Sequence, residues 1–262
     1  MHVCCKAACS CRGPRYDWQI RLSEQLESNL RELVREQSYF LAEEIRRHPE
    51  WLTKLIASQD LYRGFTRDDY LRLAGAISEN SGDEAPLALA RQRRCGLLRI
   101  LLRDVLGLAM LAETTEEISL LADCLVNWAY QEVRQGLESR YGSPRNTSSG
   151  IAGFSILALG KLGGMELNYS SDIDLLFVYE GAGESDGAEK IGNKAFFEKL
   201  AHQLTRLLSV HTERGICYRV DLRLRPDGSL GEVATSLEGA KAYYSHRARD
   251  WELQMMIKAR VA

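Results

Sequence analysis

The sequence predicts an α+β protein in which a helical arm precedes an α/β domain. Three observations carry this. Through the first half, apolar residues recur three and four apart, the period of one helix face. Beyond residue 150 the period changes, and the short apolar runs "FSILAL" and "DIDLLFVY" read as buried strands. Between the two regimes lies "GSPRNTSSG" (142–150), rich in residues that break both patterns.

The elements follow in order. Residues 1–16 hold four cysteines and no apolar period, and read as a disordered tail. From 17 to 141 runs the arm. Its first helix carries Leu26, Leu30, Leu33, Val34, Leu41 and Ile45 on one stripe, and His48-Pro49 ends it, because proline disfavours helical geometry before it. "ENSGDEAP" (79–86) is a polar break, and a second helix spans about 87–108. A third starts at "TTEE", where Thr114 and Glu117 have capping-box spacing. After the 142–150 linker, residues 151–262 form the α/β domain. A helix over 196–210 carries Phe197, Leu200, Leu204 and Leu208. "ICYRVDLRL" (216–224) alternates with period two and reads as a strand, and 237–246 is helical.

Composition narrows the function. Of 262 residues, 45% are hydrophobic and 27% charged, an ordinary globular balance. A net charge of -2 argues against a broad nucleic-acid footprint, so no nucleic-acid partner is expected. No apolar run approaches the ~20 residues a membrane span needs. Seven irregularly spaced cysteines make a poor disulfide framework, and "CCKAACSC" lacks the partner ligands of a zinc site. A reducing, cytoplasmic setting is the expectation. His202 and His211 carry no catalytic pattern, the four tryptophans read as packing anchors, and "RQRR" (91–94) reads as a solvated helix face.

The chemistry concentrates in "ALGKLGGMELNYSSDIDLLFVY" (158–179). Alternate strand residues share a face, so Asp172 and Asp174 project together. Two adjacent carboxylates repel unless a proton or cation lies between them, and Mg²⁺ is a common solution. In "YRVDLRLRP", Asp221 shares its face with Arg219 and Arg223. If the two strands are neighbours, Asp221 completes a metal-binding triad, with Arg223 and Arg225 supplying cations for phosphate. "GKLGG" (160–164) is neither a P-loop nor a dinucleotide motif. A glycine turn after a strand brings backbone amides toward anions. Followed by Asp-x-Asp and a distant third Asp, it has the order used by nucleotidyltransferases, with a nucleoside phosphate and Mg²⁺ as ligands.

Three stretches, "LGKLGGMELNYSSDIDLLF", "YRVDLRLRP" and "DWELQMMIKAR", closely resemble the bifunctional glutamine synthetase adenylyltransferase/adenylyl-removing enzyme family, and "HPEWL" (48–52) resembles its N-terminal part. The resemblance covers roughly 48–262 and is strongest over 158–225. It implies a nucleotidyltransferase-type domain with a small mixed sheet. It places catalytic and metal-binding roles on Asp172, Asp174 and Asp221. Gly160, Gly163, Gly164 and Ser171 would line the phosphates, with Lys161, Arg223 and Arg225 as further candidates there. It gives Glu252, Lys258 and Arg260 no role.

Such families carry two catalytic copies, one adding AMP to a tyrosine of glutamine synthetase and one removing it by phosphorolysis as ADP. "GKLGG", "ELN" and "RVDLRLRP" behind a helical arm look like the removing copy. The implied function is Mg²⁺-dependent removal of AMP in control of nitrogen assimilation. Its substrates would be glutamine synthetase, phosphate and ATP/ADP, with a nitrogen-signalling protein as a further partner. The alternatives are the forward adenylyltransferase, and a regulatory module that binds glutamine synthetase or a signalling protein without turnover. "RPDGSLGEVATS" departs from the family pattern, which puts the nucleotide-facing loop in doubt. The stop at "KARVA", where relatives continue, implies a fragment or truncated product.

Overall fold

The structure, a computed structural model, describes residues 14–80, 84–170 and 172–262. The terminal cysteines and Ser171 lie outside the described residues. The chain divides into two compact units, one ending at Arg63 and one running from Gly64 to Ala262.

The first unit holds α1 (Pro14–Gln37), α2 (Tyr39–Arg47) and α3 (Pro49–Ser58). The expected single helix through Ile45 is broken at Ser38, whose backbone is extended and whose Oγ accepts from the Leu41 amide. A serine hydroxyl satisfies a helix-start amide better than it serves mid-helix, so the apolar stripe continues across two helices. Pro49 opens α3, where its missing N–H costs nothing. Helix α1 begins at Pro14, inside the stretch read as tail. Leu30, Val34, Leu41, Ile45, Trp51 and Leu52 are buried.

The second unit opens with α4 (Arg67–Asn80), α5 (Ala85–Val105) and α6 (Leu111–Tyr141). Then come β1 (Phe154–Ala158), α7 (Gly160–Gly163), β2 (Asp172–Tyr179), α8 (Asn193–Ser209), β3 (Arg219–Asp221), β4 (Ala234–Ser236), α9 (Leu237–His246), α10 (Asp250–Met256) and β5 (Arg260–Val261). The sheet is mixed, as expected. β1 runs antiparallel to β2 and to β5, while β3 and β4 both run parallel to β2. β3 pairs with the start of β2 and β4 with its end, so two short strands share one edge.

Alternation assigns the two faces. Ile173, Leu175, Phe177 and Tyr179 point into a core shared with α4, α5, α6 and α8. Asp172, Asp174, Leu176 and Val178 point to the other face, part of which α9 and α10 cover.

That shared core moves the expected domain boundary. Helices α4–α6 belong with the sheet, and the chain divides at Arg63 rather than at 142–150. Residues 142–150 are tied to their surroundings. The Arg145 amide donates to the Glu184 carbonyl (3.0 Å), its guanidinium pairs with Asp186 (2.6 Å), and Asn146 donates to Glu180 (3.1 Å). Polar and glycine-rich composition here serves a fixed crossing, not a loose link.

Two further readings change. α6 starts at Leu111, so Thr114 and Glu117 lie inside the helix and form no capping box. Glu117 is buried and takes Arg99, Arg103 and the Tyr70 hydroxyl (3.0 Å) as partners. "RQRR" is not a solvated face either, since Arg93 and Arg94 are buried. Among the tryptophans, Trp51 is buried and Trp128 packs on the core, but Trp251 is half exposed.

Candidate active site

The carboxylates meet through strand pairing. β2 and β3 lie in parallel register with Asp174 opposite Asp221 and Asp172 opposite Arg219. Asp174 is half-buried. Burial holds its carboxyl above the usual aspartate range, and the negative charges of Asp221 and Asp172 add to that. Asp221 moves the other way, because the Arg223 guanidinium donates to both its oxygens (3.0 and 2.8 Å). Asp172 is paired with Arg219. Both arginines are exposed on the outer side.

The glycine turn is a single turn of helix, α7, packed against this pair. Gly160 has φ +55°, and a side chain there would place Cβ 2.6 Å from Asp174 Oδ2. Only glycine combines that backbone with that approach. The other two glycines serve the neighbouring chain. A Cβ on Gly163 would collide with the Lys258 carbonyl, and Gly164 lies beside the Lys258 side chain and Glu166. Lys161 is exposed at the start of the turn. Arg225 is turned away, into its own loop, where it donates to the carbonyls of Leu222 (2.8 Å), Ser229 (3.2 Å) and Gly231 (3.2 Å). The expected strand through residue 224 stops at Asp221, which is why Arg225 leaves the carboxylate face.

Two arginines brace the arrangement, Arg93 buried and Arg260 partly exposed. Arg93 of α5 donates to the Ser170 carbonyl (3.1 Å), two residues ahead of β2, and stacks over the Tyr218 ring (4.8 Å), one residue ahead of β3. It thus grips the approach to both acidic strands. Arg260 of β5 binds Asp123 of α6 through two nitrogens (2.7 and 2.9 Å) and donates to the Leu162 carbonyl inside the glycine turn (2.9 Å). Burial raises the Asp123 carboxyl and Arg260 opposes the shift.

The model of the family described as glutamate-ammonia ligase adenylyltransferase matches residues 28–262. The chain belongs to this family. Curated relatives in it are named bifunctional glutamine synthetase adenylyltransferase/adenylyl-removing enzyme. The protein of Nitrosococcus oceani is 39% identical over 228 residues, covering 86% of this chain and 24% of the relative. That of Pseudomonas syringae pv. tomato is 39% identical over 228 residues, covering 86% and 23%. That of Aromatoleum aromaticum is 40% identical over 191 residues, covering 72% and 20%. The chain therefore spans about a quarter of the length of such relatives.

Within this adenylyltransferase-family chain, the residues read from sequence separate into two groups. Asp172, Asp174, Asp221, Gly160 and Arg223 come together. Arg225, Gly163 and Gly164 have structural duties, and Ser171 is outside the described residues. Arg93 was missed. Its signal was available, since "LALARQRRCGLLRILL" is apolar on several sides and such a helix is buried. Among the described residues no three His, Cys, Asp or Glu groups converge as a ready metal site. No described helix is long and apolar enough to cross a membrane.

Proposed function

We propose that this chain removes AMP from an adenylylated tyrosine of glutamine synthetase by phosphorolysis, releasing ADP. The observation that carries the reading is Asp174 standing opposite Asp221 on paired strands, directly against Gly160. The relatives' names supply the substrate, and the likeness of "GKLGGMELN" and "YRVDLRLRP" to the removing copy supplies the direction.

The donor chemistry suits a divalent metal, although Asp172 is turned to Arg219 and the three acids are not gathered as a ready site. Asp174 is a half-buried carboxylate beside two further acids, and its raised pKa marks a place where a cation relieves repulsion. Carboxylate oxygens are the donors Mg²⁺ takes, so Asp172, Asp174 and Asp221 would hold it. When bound it supplies charge neutralisation at phosphate oxygens. The chain's own residues do the rest. Arg219 and Arg223 hold positive charge at the mouth of the site, where an incoming phosphate needs it. Arg93 and Arg260 fix the strands and the turn.

In phosphorolysis an oxygen of HPO4²⁻ bonds to the AMP phosphorus, the bond to the tyrosine oxygen breaks, and the proton carried by the phosphate ends on that oxygen, giving ADP³⁻ and neutral tyrosine. Phosphate is already an anion and needs no base. The adding direction must strip a proton from a tyrosine of pKa ≈ 10. Asp221, the acid opposite Asp174, is held low by the Arg223 guanidinium and is a weak proton acceptor.

The test is a product assay on adenylylated glutamine synthetase with Mg²⁺ and phosphate. ADP should appear in amounts equal to the AMP lost from tyrosine. Free AMP instead would mean hydrolysis. Labelling of unmodified glutamine synthetase from ATP, without phosphate-dependent release, would reverse the direction. Binding of glutamine synthetase with neither reaction would leave a non-catalytic module.

A further inference from the structure

Residues 165–170 carry the chain from the glycine turn toward Asp172, and this crossing is held from outside. Met165 opens it in left-handed backbone, φ +57°, a conformation that side chains disfavour. The ties come from the helices. The Leu167 amide donates to the buried Ser119 Oγ of α6 (3.1 Å). Arg93 of α5 donates to the Ser170 carbonyl (3.1 Å), and the same nitrogen reaches the Tyr169 carbonyl (3.5 Å). The Tyr169 hydroxyl donates to Asp104 Oδ2 (3.0 Å), also on α5. Arg93 and Asp104 stand about three turns apart on that helix, and therefore on one face. Tyr169 is thus fastened to a single helix twice, through its backbone and through the tip of its side chain. One attachment would let the residue swing, and two fix its direction.

We propose that the Tyr169–Asp104 hydrogen bond is a strut that aims Asp172, which makes Tyr169 and Asp104 positioning residues for the reaction. The link runs on through Ser170, whose Oγ accepts from the Asp172 amide (3.3 Å), so the direction of Tyr169 is passed to the first residue of β2. Asp104 is poorly placed for any purpose of its own helix. It lies in the last turn of α5, where the helix dipole favours cations over carboxylates. Among the described residues the Tyr169 hydroxyl is its one side-chain partner. A hydroxyl bonded to a carboxylate is the stronger kind of such bond, and this one falls three residues ahead of an acid whose direction matters. The inference rests on the metal-dependent reading above and deepens it.

The experiment titrates the full chain with Mn²⁺, in place of Mg²⁺, in the presence of ADP. Bound metal is read by electron paramagnetic resonance, and ADP release from adenylylated glutamine synthetase is followed in parallel. Tyr169→Phe keeps the ring and removes the hydroxyl. It should weaken Mn²⁺ binding by about 3- to 10-fold, as one partly exposed hydrogen bond to a charge allows. It should lower kcat by about tenfold through a misplaced acid. Asp104→Ala should match it. Asp104→Asn keeps an acceptor for the hydroxyl and should hold both quantities within about twofold of wild type. Tyr169→Phe combined with Asp104→Ala should be no worse than either change alone, because both remove the same bond.

Loss of stability alone would give another pattern, with deficits that follow the melting temperature and disappear when the assays are cooled. That pattern overturns the strut, and so do additive losses in the double variant. Mn²⁺ affinity and kcat unchanged in Tyr169→Phe overturn it too, and spare the reaction. If Tyr169→Phe fails to fold, the contrast between Asp104→Ala and Asp104→Asn decides. A wild-type chain that binds no Mn²⁺ overturns both this assignment and the metal reading beneath it.

Discussion

Asp174→Asn should stabilise the metal-free protein while abolishing its reaction. Asp174 faces Asp221 across paired strands, so their carboxylates are held near the ~4.8 Å strand spacing. Two unit charges about 5 Å apart repel by roughly 3 kcal/mol at an effective dielectric of 20, and by about 1 kcal/mol in water. Asp174 is only half-buried and Arg223 partly neutralises Asp221, so screening favours the lower figure, about 1 kcal/mol. For a unit of this size that is ~2–4 °C in melting temperature.

The pH dependence follows from the sign of the shift. The folded pKa of Asp174 lies above its unfolded value, so the native state holds that proton more tightly. The penalty that asparagine removes is therefore present above the folded pKa. It vanishes as pH falls below the unfolded value. The assay is thermal melting in chelator at pH 7.5 and at pH 3.5–4, alongside ADP release with Mg²⁺. A variant that melts lower than wild type at pH 7.5, or one that keeps near wild-type turnover in saturating Mg²⁺, would refute the electrostatic argument.

Three further outcomes test the supports. Arg93→Met should cut turnover by about 10- to 100-fold through misplacement of both acidic strands, and Arg93→Lys, without the planar fork, should restore little; steady-state kinetics on folded variants checks this. Arg260→Met strands a buried carboxylate and should cost about 3–5 kcal/mol in urea unfolding at neutral pH, with less loss in acid, where Asp123 is protonated, and recovery when Asp123→Asn is added. Gly160→Ala forces a side chain into left-handed backbone at about 1–2 kcal/mol and against Asp174, so activity should fall further than the melting shift explains.

Legibility tracked locality. The carboxylate pair was readable because strand alternation is a local rule, and the Asp221 partnership needed only that two short strands lie side by side. The strands β4 and β5, three and two residues long, carry too few residues for any period to show. Helix α7 hid inside a glycine turn. The break at Ser38 was masked because the apolar stripe runs on across it. Arg93 and Glu117 misled for one reason. Charge in a sequence reads as exposure or capping, whereas here their buried partners come from elements far along the chain, Tyr218 for one and Arg99 and Tyr70 for the other. The domain boundary failed similarly, because a polar stretch does not reveal that Asp186 and Glu180 await it across space.

The shared edge of β2 has a consequence for how such a chain can change over time. β3 fastens at one end and β4 at the other, and residues 222–233 leave the sheet between them. Arg225 closes that excursion on itself through three of its own carbonyls. The excursion is thus a detachable cassette, anchored at both ends by backbone pairing and folded by its own arginine. Arg223 at its start stays bound to Asp221, but beyond it the sequence can change without shifting the register that sets Asp174 opposite Asp221. "RPDGSLGEVATS" falls largely within it. Backbone pairing at both ends insulates the facing of Asp174 and Asp221 from changes there.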